Sequence, residues 1–325
     1  MINNPAMPNH PLAYSGANSF DTIGFDTVGF GSVGMTAGSS GLRLQMNICL
    51  EQLLINDLPA ELSEQGQQLL AQYYPPNSDD LFSLFYQPVW SFLHWFDDVP
   101  ECAVTAHAVA LFLHLWDDHI LDRQLAETEV TLAVRDTLMR AMEQSFIEFS
   151  SPLTESLSYR EQSDRYSAAL KNTTQLATLP EYMARFREQI AIWTLVPHWL
   201  VFNQSGQRAA DAMVQVIENF CMAWRLVDDI EDIDQDIKQK SKTAVYLAAT
   251  DKGKQLWQKS EIAQHVTASG QSDSYCELLS VLHAAGTVDE LLNQARSYLN
   301  DAIGLCGCFG WREIEQELKE ARQGL

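Results

Sequence analysis

Positive charge is scarce in this chain: 21 lysines and arginines stand against 43 aspartates and glutamates, a formal net charge of −22. Such a surface repels a bare nucleic-acid backbone, and no basic patch interrupts it, so nucleic acid is excluded as a partner. Long apolar runs are missing too. The most apolar-rich stretch, Leu81 to Phe96, is interrupted by Ser83, Gln87, Pro88, Ser91 and His94. It falls short of the roughly 20 residues of a membrane span, which excludes stable membrane insertion. The six cysteines (Cys49, Cys102, Cys221, Cys276, Cys306, Cys308) suit neither a disulfide framework nor paired CxxC zinc ligands. Reduced thiols in a cytoplasmic protein are the expectation. The first cation is Arg43, and no charged segment followed by an apolar core precedes it, so no secretory signal is read.

What is present supports a packed protein: 46% hydrophobic residues, with 14 Phe, 10 Tyr and 8 Trp, exclude disorder of the whole chain. Residues 1–41 differ from the rest, holding seven of the sixteen glycines and no Lys, Arg or Glu. They carry a quasi-repeat, Phe20 to Gly24, Phe25 to Gly29, then on to Gly34, and read as a flexible low-complexity leader. From Leu42 the composition is that of helices, and strand-type alternation is scarce. Pro59, Pro76 to Ser83, Pro100, Pro152 to Thr154 and Pro180 mark helix starts. No proline follows Pro197, so the C-terminal part permits long helices, with breaks expected near Gly206, Gly253, Gly270, Gly286 and Gly304. The expected fold is all-α, one domain over residues 42–325 built as a bundle of roughly ten to twelve helices.

Two acidic clusters carry the chemistry. In the first, ALFLHLWDDHILDRQL, an apolar helix runs into Asp117, Asp118 and Asp122, with Asp118 and Asp122 four residues apart on one face. Carboxylates this close repel one another unless cations or water neutralise them, and hard divalent ions such as Mg2+ take this ligand type. In the second, AWRLVDDIEDIDQD, Asp228, Asp232 and Asp236 fall on one helical stripe about 12 Å long, a second metal set. An acidic run alone usually means a solvated helix face. Here each cluster follows an apolar helix containing a tryptophan, Trp116 or Trp224, and Lys238, Lys240 and Lys242 lie just beyond the second. Two carboxylate walls with cations at the rim describe a diphosphate clamp.

Between the clusters, Thr178 to Trp193 carries Arg185 and Arg187 on an otherwise apolar helix. Arginine's fork suits a diphosphate, and ion pairs to Glu181 or Glu188 are the open alternative. Arg225 lies four residues before Asp229, placed either to orient that carboxylate or to touch substrate. His114 and His119 flank the first cluster as structural histidines.

Together these elements resemble the class I isoprenoid enzymes, the superfamily of microbial terpene synthases and trans-prenyl diphosphate synthases. LWDDHILD resembles the first aspartate-rich motif of the terpene synthases, and EYMARFRE their segment with a diphosphate-sensing arginine. Asp228, Asp232 and Asp236 match the spacing of their metal triad. All three being Asp, the run from Asp228 to Asp232 is equally similar to the second DDxxD of prenyl diphosphate synthases. Two departures stand out. Arg296 and Tyr298 are the nearest substitute for a C-terminal Arg-Tyr pair, and no Gly-Lys-Arg segment of the chain-elongating enzymes opens the body.

The resemblance implies a helical bundle around an apolar cavity and a class I terpene synthase. Such an enzyme ionises a linear prenyl diphosphate with three Mg2+ ions, or Mn2+ in their place, and quenches the carbocation to a terpene hydrocarbon or alcohol. Its metal ligands are Asp117, Asp118, Asp122, Asp228, Asp232 and Asp236, its catalytic arginines Arg185 and Arg187. Substrate contacts are Arg225, Lys238, Lys242, Trp116, Trp224, Arg296 and Tyr298. The enzymatic alternatives are a trans-prenyl diphosphate synthase or a squalene- or phytoene-type synthase, and the non-enzymatic one a degenerate metal-binding helical protein. Monomer and homodimer both stay open.

Overall fold

The computed structural model describes residues 37–71, 92–121, 125–149, 159–171, 176–264 and 273–325. The leader with Phe20, Phe25 and Phe30, the stretch Leu81 to Ser91, and Asp122, Arg123 and Gly270 lie outside these residues. The described residues form fourteen α-helices, two short 3-10 segments and no strand. They fall into two compact units divided after Phe149. No described helix is long and apolar enough to cross a membrane.

The first unit contains α1 (Ala37–Asn56), α2 (Ala60–Ala71), α3 (Glu101–Leu121) and α4 (Glu129–Phe149). Pro59 and Pro100 stand immediately before α2 and α3, where a missing N–H costs nothing. In α3, fourteen of 21 residues are buried, so it is apolar nearly all round and serves as the unit's core helix. It packs against α1, which buries Met46, Leu50 and Leu54 at helical spacing, and against α4, which buries Val134 and Leu138. The Trp116 indole, fully buried, donates to the Thr131 carbonyl at 3.1 Å and so ties α3 to α4. One polar group breaks the pattern. His107 is fully buried, neither ring nitrogen has a hydrogen-bond partner among the described residues, and burial pushes its pKa down to about 3.

The second unit runs from α5 (Tyr159–Lys171) through α6 (Leu179–Gln189), a 3-10 segment (Ala191–Thr194), α7 (Leu195–Ser205), α8 (Gln207–Glu231) and α9 (Ile233–Gln239). It continues through α10 (Ala244–Ala248), α11 (Asp251–Gln264), α12 (Asp273–Ala284), α13 (Thr287–Phe309) and α14 (Arg312–Gln323). Its most extensive pairing is α8 with α13, where Met213, Ile217 and Phe220 are buried on one helix and Leu291, Ala295 and Leu299 on the other. The start of α6 is fixed by a capping box: Thr178 Oγ1 accepts from the Glu181 N–H, and the Glu181 carboxylate accepts from the Thr178 N–H.

The helix breaks differ from those expected. Gly206 and Gly286 interrupt as read, both at positive φ (78° and 70°), which glycine adopts without steric cost. Gly253 and Gly304 instead lie inside α11 and α13. Asp232 is a break the sequence pattern missed, and the fourteen helices exceed the expected ten to twelve. The last turn of α8 carries Asp228, Asp229 and Glu231 with no basic residue, and acidic groups oppose the negative end of the helix dipole. The helix yields at Asp232 (φ −97°, ψ 16°), although Asp232 N–H still reaches the Asp228 carbonyl at 2.9 Å and Asp236 N–H the Asp232 carbonyl at 2.8 Å.

Candidate active site

In the first unit, α3 delivers Asp117 and Asp118 at its C-terminal end. Asp117 is buried and gripped by the α4 residue Arg135 through both carboxylate oxygens, Nε to Oδ1 at 2.5 Å and Nη2 to Oδ2 at 3.1 Å. This is the bidentate fork in which arginine binds a carboxylate most strongly. Asp118 is exposed. His119 is buried, and its pKa is pushed down to about 4, so it stands neutral beside the acids.

The second cluster, at the junction of α8 and α9, is more crowded with negative charge, and its carboxylates share a single arginine. Asp229 is buried, and its Oδ1 accepts from the Tyr182 hydroxyl at 3.1 Å and lies 3.0 Å from Arg225 Nε. Its Oδ2 accepts from the Ala244 N–H at 2.8 Å, which anchors the start of α10. Asp236, also buried, accepts from the Thr243 hydroxyl at 2.6 Å. These two carboxylates hold the turn through Lys240 (φ 60°) to Thr243, where the Ser241 N–H also bonds the Asp236 carbonyl at 2.8 Å. Asp228 has one partner here, Arg225 Nη1 at 3.2 Å. Burial pushes Asp228 up to about 7, with Asp229, Asp232 and Glu231 raising it further against the pull of Arg225. Asp236 is pushed up to about 8, by burial and then by Asp229, and Asp232 is raised by burial. Together they form a site short of positive charge.

Arg225 is the central cation of this cluster. Besides its carboxylate contacts, its Nε donates to the Tyr182 hydroxyl at 2.7 Å, and its guanidinium lies over the Tyr182 and Phe186 rings at 5.7 and 5.6 Å. Of the two readings open for Arg225, the contacts support orientation of carboxylates. On α6, Arg187 Nε is 3.3 Å from Glu218 Oε2, and Glu218 also lies 3.9 Å from Arg165, whose fork holds Glu188 at 2.6 and 2.9 Å. Arg187 is therefore part of an ion-pair network, with a glutamate that local spacing did not suggest. The Nε atoms of Arg185 and Arg187 both lack a hydrogen-bond partner among the described residues, and half-buried Arg185 differs in having no carboxylate beside it comparable to Glu218. It lies one helical turn from Tyr182, on the side of α6 that borders the second cluster.

The remaining candidates are dispersed. Trp224 is half-buried against Phe186, ring centroids 6.3 Å apart. Lys238 pairs with Asp234, and Lys242 lies 5.2 Å over the Tyr246 ring. Arg296 donates to the Leu325 carbonyl and to Asn293 Oδ1 at 3.0 Å, and Tyr298 accepts from Gln294 at 3.5 Å. Arg135, Tyr182 and Thr243, which hold cluster carboxylates, and Arg165 and Glu218, which join the ion pairs of α6, were missed because each acts on a residue distant in sequence or, for Thr243, beyond a turn.

Hard oxygen donors, raised carboxylate pKa values and a shortage of cations fit a divalent ion at the second cluster. The groups are not converged as they stand: among the described residues no three His, Cys, Asp or Glu side chains are placed to hold a metal ion together. Asp228 would have to exchange Arg225 for the ion.

No protein-family model and no curated protein matches the sequence. Solved structures do. A geranylgeranyl pyrophosphate synthetase from Pyrococcus horikoshii Ot3 is similar at 13% identity and a TM-score of 0.65, covering 88% of this chain and 98% of its own. An octaprenyl pyrophosphate synthase from Helicobacter pylori is similar at 12% identity and 0.62, with 88% and 98% covered. A polyprenyl synthase from Caulobacter crescentus CB15, complexed with calcium and isoprenyl diphosphate, gives 14% identity and 0.61, with 88% and 95% covered. At such identities the likeness concerns the backbone, and the chain has the all-helical fold of the class I isoprenoid synthases.

Proposed function

We propose that the protein is a Mg2+-dependent enzyme that ionises an allylic prenyl diphosphate and joins the prenyl group to isopentenyl diphosphate, residues 42–325 acting as one catalytic body. The observation that carries this reading is the second cluster, a partly buried set of aspartates sharing a single arginine, in a fold shared with prenyl diphosphate synthases. Asp228, Asp232 and Asp236 would hold metal in the second unit, Asp117, Asp118 and Asp122 in the first. Bound metal would neutralise the diphosphate and make it a better leaving group. Mn2+ could substitute, and a homodimer is compatible with the reading.

The chain's own side chains supply the rest. Arg185, which no carboxylate engages among the described residues, donates to the departing diphosphate, while Arg187 keeps α6 on α8 through Glu218. Lys242 and Lys238 border the cluster and lower the cost of bringing in an anion on a chain of charge −22. The carbon–oxygen bond breaks with both electrons leaving on the diphosphate. Trp224 and Phe186 offer aromatic surface to the cation and keep water away. The alkene of isopentenyl diphosphate then supplies the electron pair for the new carbon–carbon bond, and a proton is lost.

Cyclisation of one prenyl diphosphate is the second reading, favoured by the missing Gly-Lys-Arg segment. Geranyl, farnesyl or geranylgeranyl diphosphate is incubated with Mg2+, with and without isopentenyl diphosphate, and products are read by mass spectrometry. A longer prenyl diphosphate formed only with isopentenyl diphosphate supports elongation. A terpene from a single substrate replaces elongation by cyclisation. No turnover in either arm removes both.

A further inference from the structure

One arrangement in the second unit goes beyond that reading. Tyr182 on α6 meets α8 through a single residue pair, accepting from Arg225 Nε at 2.7 Å and donating to Asp229 Oδ1 at 3.1 Å. The same guanidinium reaches Asp228 through Nη1 at 3.2 Å. Its plane is fixed by Tyr182 and Asp229 on one edge and by the Tyr182 and Phe186 rings, 5.7 and 5.6 Å away. Arginine's five donors in a rigid fork allow this shared grip, whereas lysine offers one nitrogen on a flexible stem. A guanidinium so held cannot swing freely away from Asp228, and it presents a fixed positive charge where a divalent ion would bind.

We infer that Arg225, oriented by Tyr182, is the built-in counter-cation of the second carboxylate cluster and sets its affinity for divalent metal, so that both are positioning residues and neither needs to touch substrate. This rests on the metal reading of Asp228. The clasp has two consequences. Before metal arrives it relieves repulsion among Asp228, Asp229 and Asp232. It also weakens metal binding in the absence of diphosphate, because an incoming ion must share Asp228 with Arg225 or displace it. A divalent ion gains twice what a competing proton gains when a neighbouring positive charge is removed, so loss of Arg225 tightens metal binding even on carboxylates with raised pKa.

The test is a titration of the full-length protein with Mn2+ alone, followed by electron paramagnetic resonance and repeated with Mg2+ by calorimetry. Arg225→Gln is expected to tighten binding about fivefold or more. Tyr182→Phe, which leaves the guanidinium charged and loosens its orientation, is expected to tighten it by less. In the double variant Tyr182→Phe adds nothing to Arg225→Gln, because the tyrosine acts through the arginine. A general structural defect would weaken binding, so the sign separates the two causes. Unchanged or weaker binding in Arg225→Gln overturns the inference, as does an additive double variant. Arg225→Gln leaves Asp229 short of a partner; if it does not fold, Arg225→Lys takes its place and is expected to match Tyr182→Phe, and wild-type affinity in both overturns the inference. Asp228→Asn separates this outcome from failure of the metal reading. If Asp228→Asn leaves Mn2+ binding intact, the metal assignment fails; if it abolishes binding while Arg225→Gln does not tighten it, only the counter-cation role fails.

Discussion

The two acidic helix ends use the same residue type at similar spacing and are neutralised in different ways. In the first unit, buried Asp117 has an arginine of its own, with both oxygens met by the Arg135 fork, and the adjacent Asp118 is exposed. In the second, a single guanidinium serves Asp228 and Asp229, while Asp236 has a neutral threonine hydroxyl and a carboxyl pushed up to about 8. Carboxylate spacing alone therefore does not say which oxygens remain for a metal. That depends on the partners: an arginine from another helix for Asp117, one from the same helix for Asp228 and Asp229, and a threonine from the turn before α10 for Asp236.

The comparison is broken most strongly at Arg135. Arg135→Ala removes the bidentate fork from buried Asp117, and is expected to cost about 3 kcal/mol or more of unfolding free energy by denaturant titration. A loss near zero would show that Asp117 does not depend on its arginine. Next comes activity. Asp228→Asn and Asp118→Asn should each lower turnover at least about a hundredfold with helicity retained by circular dichroism, as expected when transition-state charge loses its stabilisation. Arg185→Ala should reduce turnover more than Arg187→Ala, whose main effect falls on stability through the Glu218 pair.

The two units also contain buried groups of opposite pH response. His107 in the first has its folded pKa pushed down to about 3 from an ordinary 6.5, so between those values the unfolded chain binds the extra proton. Its contribution to stability is present above pH 6.5 and is lost as pH falls toward about 3, at roughly 1.4 kcal/mol per pH unit. His107→Leu should flatten the acid limb of a stability profile by that slope, and an unchanged slope would contradict the assignment. Asp228 in the metal-free second unit, pushed up to about 7, has the reverse sign: its contribution is present below about pH 4 and is lost as pH rises through about 7. The smallest expected effect is at the cap of α6, where Thr178→Ala should cost about 1 kcal/mol.

Much of the fold was legible because its signals are local. Pro59, Pro100 and Pro180 start helices where the sequence places them, and Gly206 and Gly286 end or separate them. Gly253 and Gly304 stayed helical because the packed faces of α11 and α13 outweigh the roughly 1 kcal/mol cost of one glycine. All six cysteines are free thiols. At the site, the spacing of Asp228, Asp232 and Asp236 was legible, but the break at Asp232 and the partners of the carboxylates were not. Arg135 is eighteen residues from Asp117, and Tyr182 is 43 from Arg225, separations that no helical period encodes.

The account's central claim is that these carboxylates serve metal-assisted departure of diphosphate. The most direct measurement is the rate of inorganic diphosphate release from farnesyl diphosphate with isopentenyl diphosphate present, in Mg2+ and in excess chelator, for the wild-type chain and Asp228→Asn. The account predicts release in Mg2+ that is abolished by chelator and lowered at least about a hundredfold in the variant. Equal release in chelator, or an unimpaired Asp228→Asn, would contradict it.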